Sequence, residues 1–262
     1  MRIAVCLKQV PNTSEMRLDP ETHTLIRSGV AAVLNPLDEF PLEAALRLRQ
    51  ALGGEVVAVT MGPPQAEEVL RKAVAMGADS GLLVSDRAFA GADTWATSLT
   101  LARALQASGP YDLILCGKQA IDGDTAQVGP GLAAHLGIPQ VTGVTALRAV
   151  AGGIEVDRQL DGGTATLHLA LPALLTVLKE ANEPRLPSLS GRLRAQRAAC
   201  RRLGLGDLAM APVETGLKGS PTRVVRIAAP PATRRLTRLE GPPEELAARL
   251  AAILREGTND PS

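Results

Sequence analysis

CGKQAIDGDTAQVGP, residues 116–130, is the stretch whose reading decides the fold. It follows an apolar run, YDLIL at 111–115, with the pattern of a buried parallel strand. Behind it Val128, Leu132 and Leu136 share one helical face, which ends at Gly137 and Pro139. The order is strand, polar glycine-bearing loop, helix, the geometry in which backbone N–H groups and a positive helix end meet a phosphate. Asp122 and Asp124 sit in the loop with Gly123 between them and Thr125 and Gln127 behind. Carboxylates repel phosphate, so their expected work is to cap the helix or to accept hydrogen bonds from ribose hydroxyls and loop N–H groups. A bare connector has no need of so many hydrogen-bonding groups, and the loop is read as a ligand loop.

Working outward, the runs at 2–7, 55–60 and 81–84 are further short strands. Between them, helices carry Leu42, Ala45, Leu48 and Leu52, then Val69, Ala73 and Met76, then Trp95, Leu99 and Ala102 on one face each. Asp38 and Asp93-Thr94 stand where helix caps are expected, and Gly53 and Gly77 where helices stop. Strands alternating with helices demand right-handed crossovers, hence a doubly wound, mostly parallel α/β sheet. Residues 11–29 read as polar and irregular. After Pro139, runs at 154–160 and 164–170 flank Asp161-Gly162-Gly163 as a β-hairpin, and 174–178 is one more strand. A proline-bearing polar segment then leads into a basic amphipathic stretch. Beyond Pro230-Pro231 lies a basic stretch and a last helix near 243–256, read as an arm (229–262) outside the main domain (1–228).

Composition narrows the function. Apolar residues make up 45% of 262 but aromatics only 2%, so the core is aliphatic and no aromatic platform for nucleic acid is expected. A net charge of +1 gives no reason for a nucleic-acid or anionic-membrane partner. Cys6, Cys116 and Cys200 are far apart and odd in number, and His23, His135 and His168 lack ligand spacing, so neither a disulfide framework nor a metal site is expected. No apolar run is long enough to span a bilayer, which reads as a soluble protein of a reducing compartment, the cytoplasm. The residues alone leave three functions open. One is a nucleotide-binding carrier subunit. The second is a nucleotide-hydrolysing or adenylating enzyme with Lys118 on phosphate and Asp122 or Asp124 on a metal, although no P-loop pattern is present. The third is a sensor domain that binds ATP without chemistry.

Seven segments in order resemble the β subunit of electron-transfer flavoproteins along nearly the whole chain. They are VCLKQVP at the start, VLNPLDEF (33–40), MGP (61–63), AVAMGAD (73–79), GKQAIDGDTAQVGP (117–130), LDGGTATL (160–167) and LKEANEPRLPSL (178–189). The resemblance implies an electron carrier, not an enzyme: a heterodimer with an α subunit that holds most of the FAD. It takes electrons from flavin dehydrogenases, such as the acyl-CoA dehydrogenases of fatty acid oxidation, and passes them on to an acceptor such as a quinone oxidoreductase. The implied β pocket consists of Cys6, Leu7 and Lys8; Asn35, Pro36, Leu37 and Asp38; Met61; and Gly117, Lys118, Gln119, Asp122, Gly123, Asp124, Thr125, Ala126, Gln127 and Val128. It would hold AMP or, in the electron-bifurcating branch, a second FAD. Where the AMP type tends to carry Asn-Gln-Thr, this chain has Ala126-Gln127-Val128. Its ADTWATS (92–98) looks like the bifurcating branch, whose diphosphate would face Thr94 and Thr97. In the family a leucine after NEPR plugs into the dehydrogenase. The matching position is Leu189, on an expected loop, with Arg185, Arg192 and Arg194 beside it.

Overall fold

The computed structural model describes residues 1–12, 17–18, 25–26, 32–225 and 238–257. In chain order the strands and helices are β1 (Arg2–Leu7), β2 (Gln9–Pro11), β3 (Arg17–Leu18), β4 (Leu25–Ile26), β5 (Ala32–Leu34), α1 (Glu39–Leu52), β6 (Glu55–Met61), α2 (Glu67–Met76), β7 (Ser80–Val84), α3 (Thr94–Ser108), β8 (Leu113–Gly117), α4 (Val128–Leu136), β9 (Gln140–Val150), β10 (Gly153–Leu160), β11 (Gly163–Leu169), β12 (Ala173–Val177), α5 (Leu189–Arg197), β13 (Arg201–Leu203) and α6 (Pro243–Gly257). The chain divides into two units, 1–225 and 226–262.

The first unit is built on a nine-stranded sheet in the order β11-β10-β9-β12-β8-β1-β6-β7-β13. Strands from β12 through β13 run parallel, and β9, β10 and β11 form an antiparallel meander at one end. The aliphatic runs read from the sequence are buried on both faces, as a covered parallel sheet requires. Leu42, Leu46, Leu70 and Val74 of α1 and α2 pack with Ile3, Val5 and Leu115 on one face. Leu101, Leu105, Leu132 and Ala133 of α3 and α4 pack with Ala4, Ile114 and Leu174 on the other.

The order of winding places the site. From β1 the chain moves outward through β6 and β7, then returns across the sheet to β8 on the other side of β1. Loops leaving β1 and β8 therefore diverge, and a crevice opens at their carboxyl ends. Lys8 follows one strand and Gly117 closes the other.

Several expectations shift. The strand before the loop begins at Leu113, because Asp112 turns its carboxylate to the Arg2 N–H and Tyr111 lies under the Arg2 guanidinium. Trp95 is 55% exposed; the buried side of α3 carries Ala96, Thr100, Leu101, Ala104 and Leu105 instead. Leu52 is likewise exposed at the end of α1. The hairpin gained an eleven-residue partner, β9, whose small and polar residues gave little alternation to read. Within 11–29, Pro11 ends β2 opposite Ala32 and β3 pairs with β4, Arg17 opposite Ile26, while 13–16, 19–24 and 27–29 lie outside the described residues. The basic stretch after Pro230-Pro231 also begins outside them. In the second unit α6 has Glu244 and Glu245 in its first turn and Arg255 in its last, matching the helix dipole. Its Leu250, Ile253 and Leu254 are exposed.

Candidate functional site

Asn35 is the keel of the crevice. It is fully buried, and its backbone N–H donates to the Lys8 carbonyl at 2.9 Å. Its amide nitrogen donates to the Gln119 carbonyl at 2.9 Å, and its amide oxygen accepts from the Ile121 N–H at 3.3 Å. Pro36 cannot continue a strand, so the chain turns at once into α1 and keeps Asn35 at the sheet edge. A side chain with a donor and an acceptor is what two opposed backbone groups of one loop require.

Asp38 does a different job from the cap expected of it. Its side chain makes no capping bond to α1; it turns under the site and accepts from the Lys8 N–H at 2.8 Å. Burial pushes its carboxyl up to about 7, against the opposing pull of the Lys8 N–H, the Asn35 amide, the Lys8 charge and the Gly117 N–H. Above it Gly117 is tight: a Cβ there would stand 2.3 Å from Asp38 Oδ1 and 2.7 Å from the Leu37 carbonyl oxygen.

The rest of the loop is held by its own side chains. Lys8 Nζ pairs with Asp122 at 2.6 Å, neutralising one of the two loop carboxylates. The Gln119 amide donates to Asp124. Asp124 and Ala126 have φ of +52° and +54°, an unfavourable left-handed backbone for residues bearing a Cβ, of the kind that concentrates at ligand sites. Neither Asp124 nor Thr125 caps α4. That helix starts at Val128 behind Gln127 with no side-chain cap, leaving first-turn N–H groups for an anion.

A second helix end arrives beside the first. Thr94, the first residue of α3, donates from Oγ1 to Gln127 Oε1 at 3.1 Å. Two glycines let α4 come this close: a Cβ on Gly131 would meet Ser98 Oγ of α3 at 2.8 Å, and one on Gly129 would meet Thr176 Cγ2 of β12 at 2.7 Å. Asp93 caps α3 through the Ala96 N–H and also accepts from the Thr222 N–H and hydroxyl.

Of the residues read from the sequence, Lys8, Asn35, Asp38, Gly117, Gln119, Asp122 and Asp124 form one bonded cluster, with Thr94 and Gln127 adjoining. Cys6, Met61 and Val128 pack partly buried on the cluster of apolar side chains beneath it. Leu7 points into the core on the opposite face, at 5% exposure. Thr97 lies in the first turn of α3, its backbone N–H on the Asp93 carbonyl at 2.9 Å. Pro36, Gly123 and Thr125 are exposed, and Leu37 meets Gly117 through its carbonyl. Lys118 and Ala126 line a cavity of about 710 Å³ on the β12 side of the loop, together with Thr142, Gln159, Asp161 and Thr176. Sequence reasoning missed Ile121, Ser220, whose hydroxyl accepts from the Asp93 N–H at 2.8 Å, and Thr222. Ile121 works through its backbone, and the other two lie far along the chain. The α4 glycines were a signal in plain view. Among the described residues no three His, Cys, Asp or Glu gather as a metal site.

The second candidate surface is α5. Leu189 opens this helix rather than sitting on a loop, because Ser188 caps it by accepting from the Gly191 N–H at 3.0 Å. Leu189 is 77% and Leu186 88% exposed. Arg185 is engaged at the root of the segment: its guanidinium grips the buried Glu43 carboxylate at 2.7 and 3.0 Å and reaches Gln50. Burial resists ionisation of Glu43, but Arg185 and Arg47 together hold its carboxyl below the usual value. Arg194 donates to the Val74 and Ala78 carbonyls at the end of α2. Arg192 is exposed.

The buried Asp38 carboxyl makes stability pH-dependent. A folded-state value near 7 against an ordinary 3.8 means that the fold holds this proton more tightly than the unfolded chain. The contribution is therefore complete below about pH 4 and is lost as pH rises toward 7, by at most about 4 kcal/mol. Thermal melts across this range are expected to show the slope in the native chain and a flatter profile in Asp38→Asn.

Comparisons with known proteins agree on one family. A model described as "Electron transfer flavoprotein domain" matches residues 22–205. The chain is 49% identical over 231 residues to the electron transfer flavoprotein subunit beta of Thermoanaerobacterium thermosaccharolyticum, covering 88% of both. It is 48% identical to the caffeyl-CoA reductase-Etf complex subunit CarD of Acetobacterium woodii, covering 88% of this chain and 89% of that one. It is 44% identical to protein FixA of Azotobacter vinelandii, covering 99% and 96%.

Proposed function

The chain belongs to the electron transfer flavoprotein family as a β subunit, and from that premise we propose that its crevice holds an adenine nucleotide as a fixed structural ligand while its α5 surface receives electron-donating dehydrogenases. As a β subunit it is an electron carrier that pairs with an α subunit. The observation that carries the nucleotide reading is the Asn35 amide bridging Gln119 and Ile121, which holds a strained loop open beside the uncapped start of α4. The residues fit such a group: backbone N–H groups of α4 for phosphate, and loop carbonyls and Asp122 or Asp124 for ribose hydroxyls. Bound there, AMP supplies no redox chemistry, whereas a second FAD supplies a second electron-carrying centre.

A specific contact favours the larger ligand. Thr94 reaching Gln127 sets the first turn of α3, capped by Asp93, beside the start of α4, so hydroxyl groups rather than a free helix end are what this turn would offer a second phosphate. Denaturing the purified heterodimer and counting released nucleotides is the test. Two FAD per heterodimer would establish the second flavin, one FAD with one AMP the simpler ligand, and one FAD alone would overturn the nucleotide reading.

Donors in this proposal are flavin dehydrogenases, acyl-CoA dehydrogenases among them, with a quinone oxidoreductase as acceptor and the cytoplasm as the place of work. Among the described residues no helix is long and apolar enough to cross a membrane. The arm, 229–262, is proposed to lie on the α subunit, with Leu250, Ile253 and Leu254 as its apolar face. Deleting 241–262 is expected to weaken α-subunit affinity at least tenfold, the equivalent of about 1.4 kcal/mol, in a titration of the purified subunits. Unchanged affinity would remove the arm from the interface.

A further inference from the structure

Beneath the nucleotide loop lie two thiols, Cys6 of the implied pocket and Cys116 behind it, whose sulfur chemistry the carrier role does not employ. Cys6 of β1 and Cys116 of β8 are direct register partners on adjacent parallel strands. Both side chains belong to the same side of the sheet, against α3 and α4, so they stand next to each other with no backbone between them. Strands are spaced by about 4.8 Å, inside the range of about 4.4–6.8 Å over which Cα atoms are bridged by a disulfide. The neighbouring Cys6 thiol and burial both push the Cys116 thiol up, which keeps it protonated. Cys6 is half-buried, and Cys116 is 6% exposed. Cys200 lies elsewhere, against Gly81 of β7 on the opposite face.

We propose that Cys6 and Cys116 are a site of reversible oxidation, in which a hydroperoxide links the exits of β1 and β8 through a disulfide. Hydrogen peroxide is what a reduced flavin yields on meeting dioxygen, so a flavin carrier works beside its source. The Cys6 sulfur attacks one peroxide oxygen; the O–O bond breaks, one water leaves, and Cys6 becomes a sulfenic acid. The Cys116 sulfur then attacks the Cys6 sulfur, the S–S bond forms and the S–O bond breaks. The departing hydroxide takes the Cys116 proton and leaves as a second water. Both sulfurs are oxidised and the peroxide is reduced to two waters. Cys6 stands two residues before Lys8, and Cys116 immediately before Gly117. The link therefore ties together the roots of both segments that build the crevice. Parallel register partners are not the relaxed setting for this bond, and strained disulfides are the readily reduced, regulatory kind.

The test treats the purified α/β heterodimer with hydrogen peroxide, separates the β chain under denaturing conditions, and counts its thiols. Loss of two of the three, a mass lower by two hydrogens, and a peptide pair joining Cys6 to Cys116 are expected, all reversed by dithiothreitol. Cys200→Ser is expected to leave the reaction intact, and Cys6→Ser to abolish it while Cys116 stays unmodified. A β chain that keeps three thiols, stops at sulfinic acid on Cys6, or links through Cys200 would overturn the assignment. These readings are made first on the native sequence, so the outcome does not depend on a variant folding. They count sulfur chemistry and not bound nucleotide, so failure here leaves the nucleotide reading untouched.

Discussion

Gly117→Ala is expected to strip the β subunit of its nucleotide and to lower its stability by roughly 2–4 kcal/mol, as overpacking and a broken buried hydrogen bond combine. The added carbon would sit 2.3 Å from Asp38 Oδ1, 2.7 Å from the Leu37 carbonyl oxygen and 3.0 Å from the Leu37 carbonyl carbon. None of these has room to retreat. The Asp38 carboxylate is fixed by the Lys8 N–H at 2.8 Å, and Leu37 lies in a tight turn between Pro36 and Asp38. Strand β8 must therefore withdraw from β1, carrying Lys118 and Gln119 with it, and the Asn35–Gln119 bond breaks. Gly123→Ala is the control, since nothing lies within 4 Å of its new carbon. Nucleotide released by acid from equal amounts of heterodimer, with melting temperatures, measures both. Full nucleotide content in Gly117→Ala would show that the loop is not held in the way described.

Gly191→Ala and Leu189→Ala are expected to damage electron uptake for opposite reasons. At Gly191 the new Cβ would stand 2.1 Å from the Ala75 carbonyl oxygen, a backbone atom of α2. Helix α5 has to lift, losing the Arg194 bonds to Val74 and Ala78, and stability falls by roughly 1–3 kcal/mol. Leu189 is 77% exposed, so its truncation should leave melting unchanged within about 0.5 kcal/mol while removing a docking anchor worth about 2 kcal/mol. Stopped-flow reduction by a dehydrogenase, at concentrations below saturation, then falls about thirtyfold for Leu189→Ala, that energy expressed as a ratio of rates. Equal rates for Leu189→Ala and the native chain would remove the anchor. A normal melt for Gly191→Ala would show that α5 is not seated on α2.

Much of this architecture was legible because aliphatic periodicity is a direct consequence of burial. β1 was read to the residue, and Val69, Ala73 and Met76 do face the core. The loop at 117–127 announced itself through its polarity between a strand and a helix. What stayed hidden depends on contacts between distant positions. Trp95 shares the spacing of a core residue, yet at the first turn of α3 it is 55% exposed and only edge-on to His135 of α4, with ring centroids 4.7 Å apart. Asp38 has the sequence of a cap, but the Lys8 N–H thirty residues away is the partner that wins it. Arg185 reads as a surface charge until Glu43, 142 positions earlier, is found buried beneath it. β9 mixes Val and Leu with Thr, Ala and Gly in no regular alternation, so only its pairing with β10 and β12 defines it.

The bonds that shape the crevice span long distances along the chain: 84 residues from Asn35 to Gln119 and 114 from Lys8 to Asp122. During synthesis, the early segment 1–84 can begin to organise around β1, β6 and β7 while β8 is still unmade. Its keel amide then has no loop to hold. On the proposed nucleotide reading, ligand capture is a late event in maturation, after the fourth core strand has slotted beside the first, and a truncated nascent product would offer no half-built pocket to compete for nucleotide.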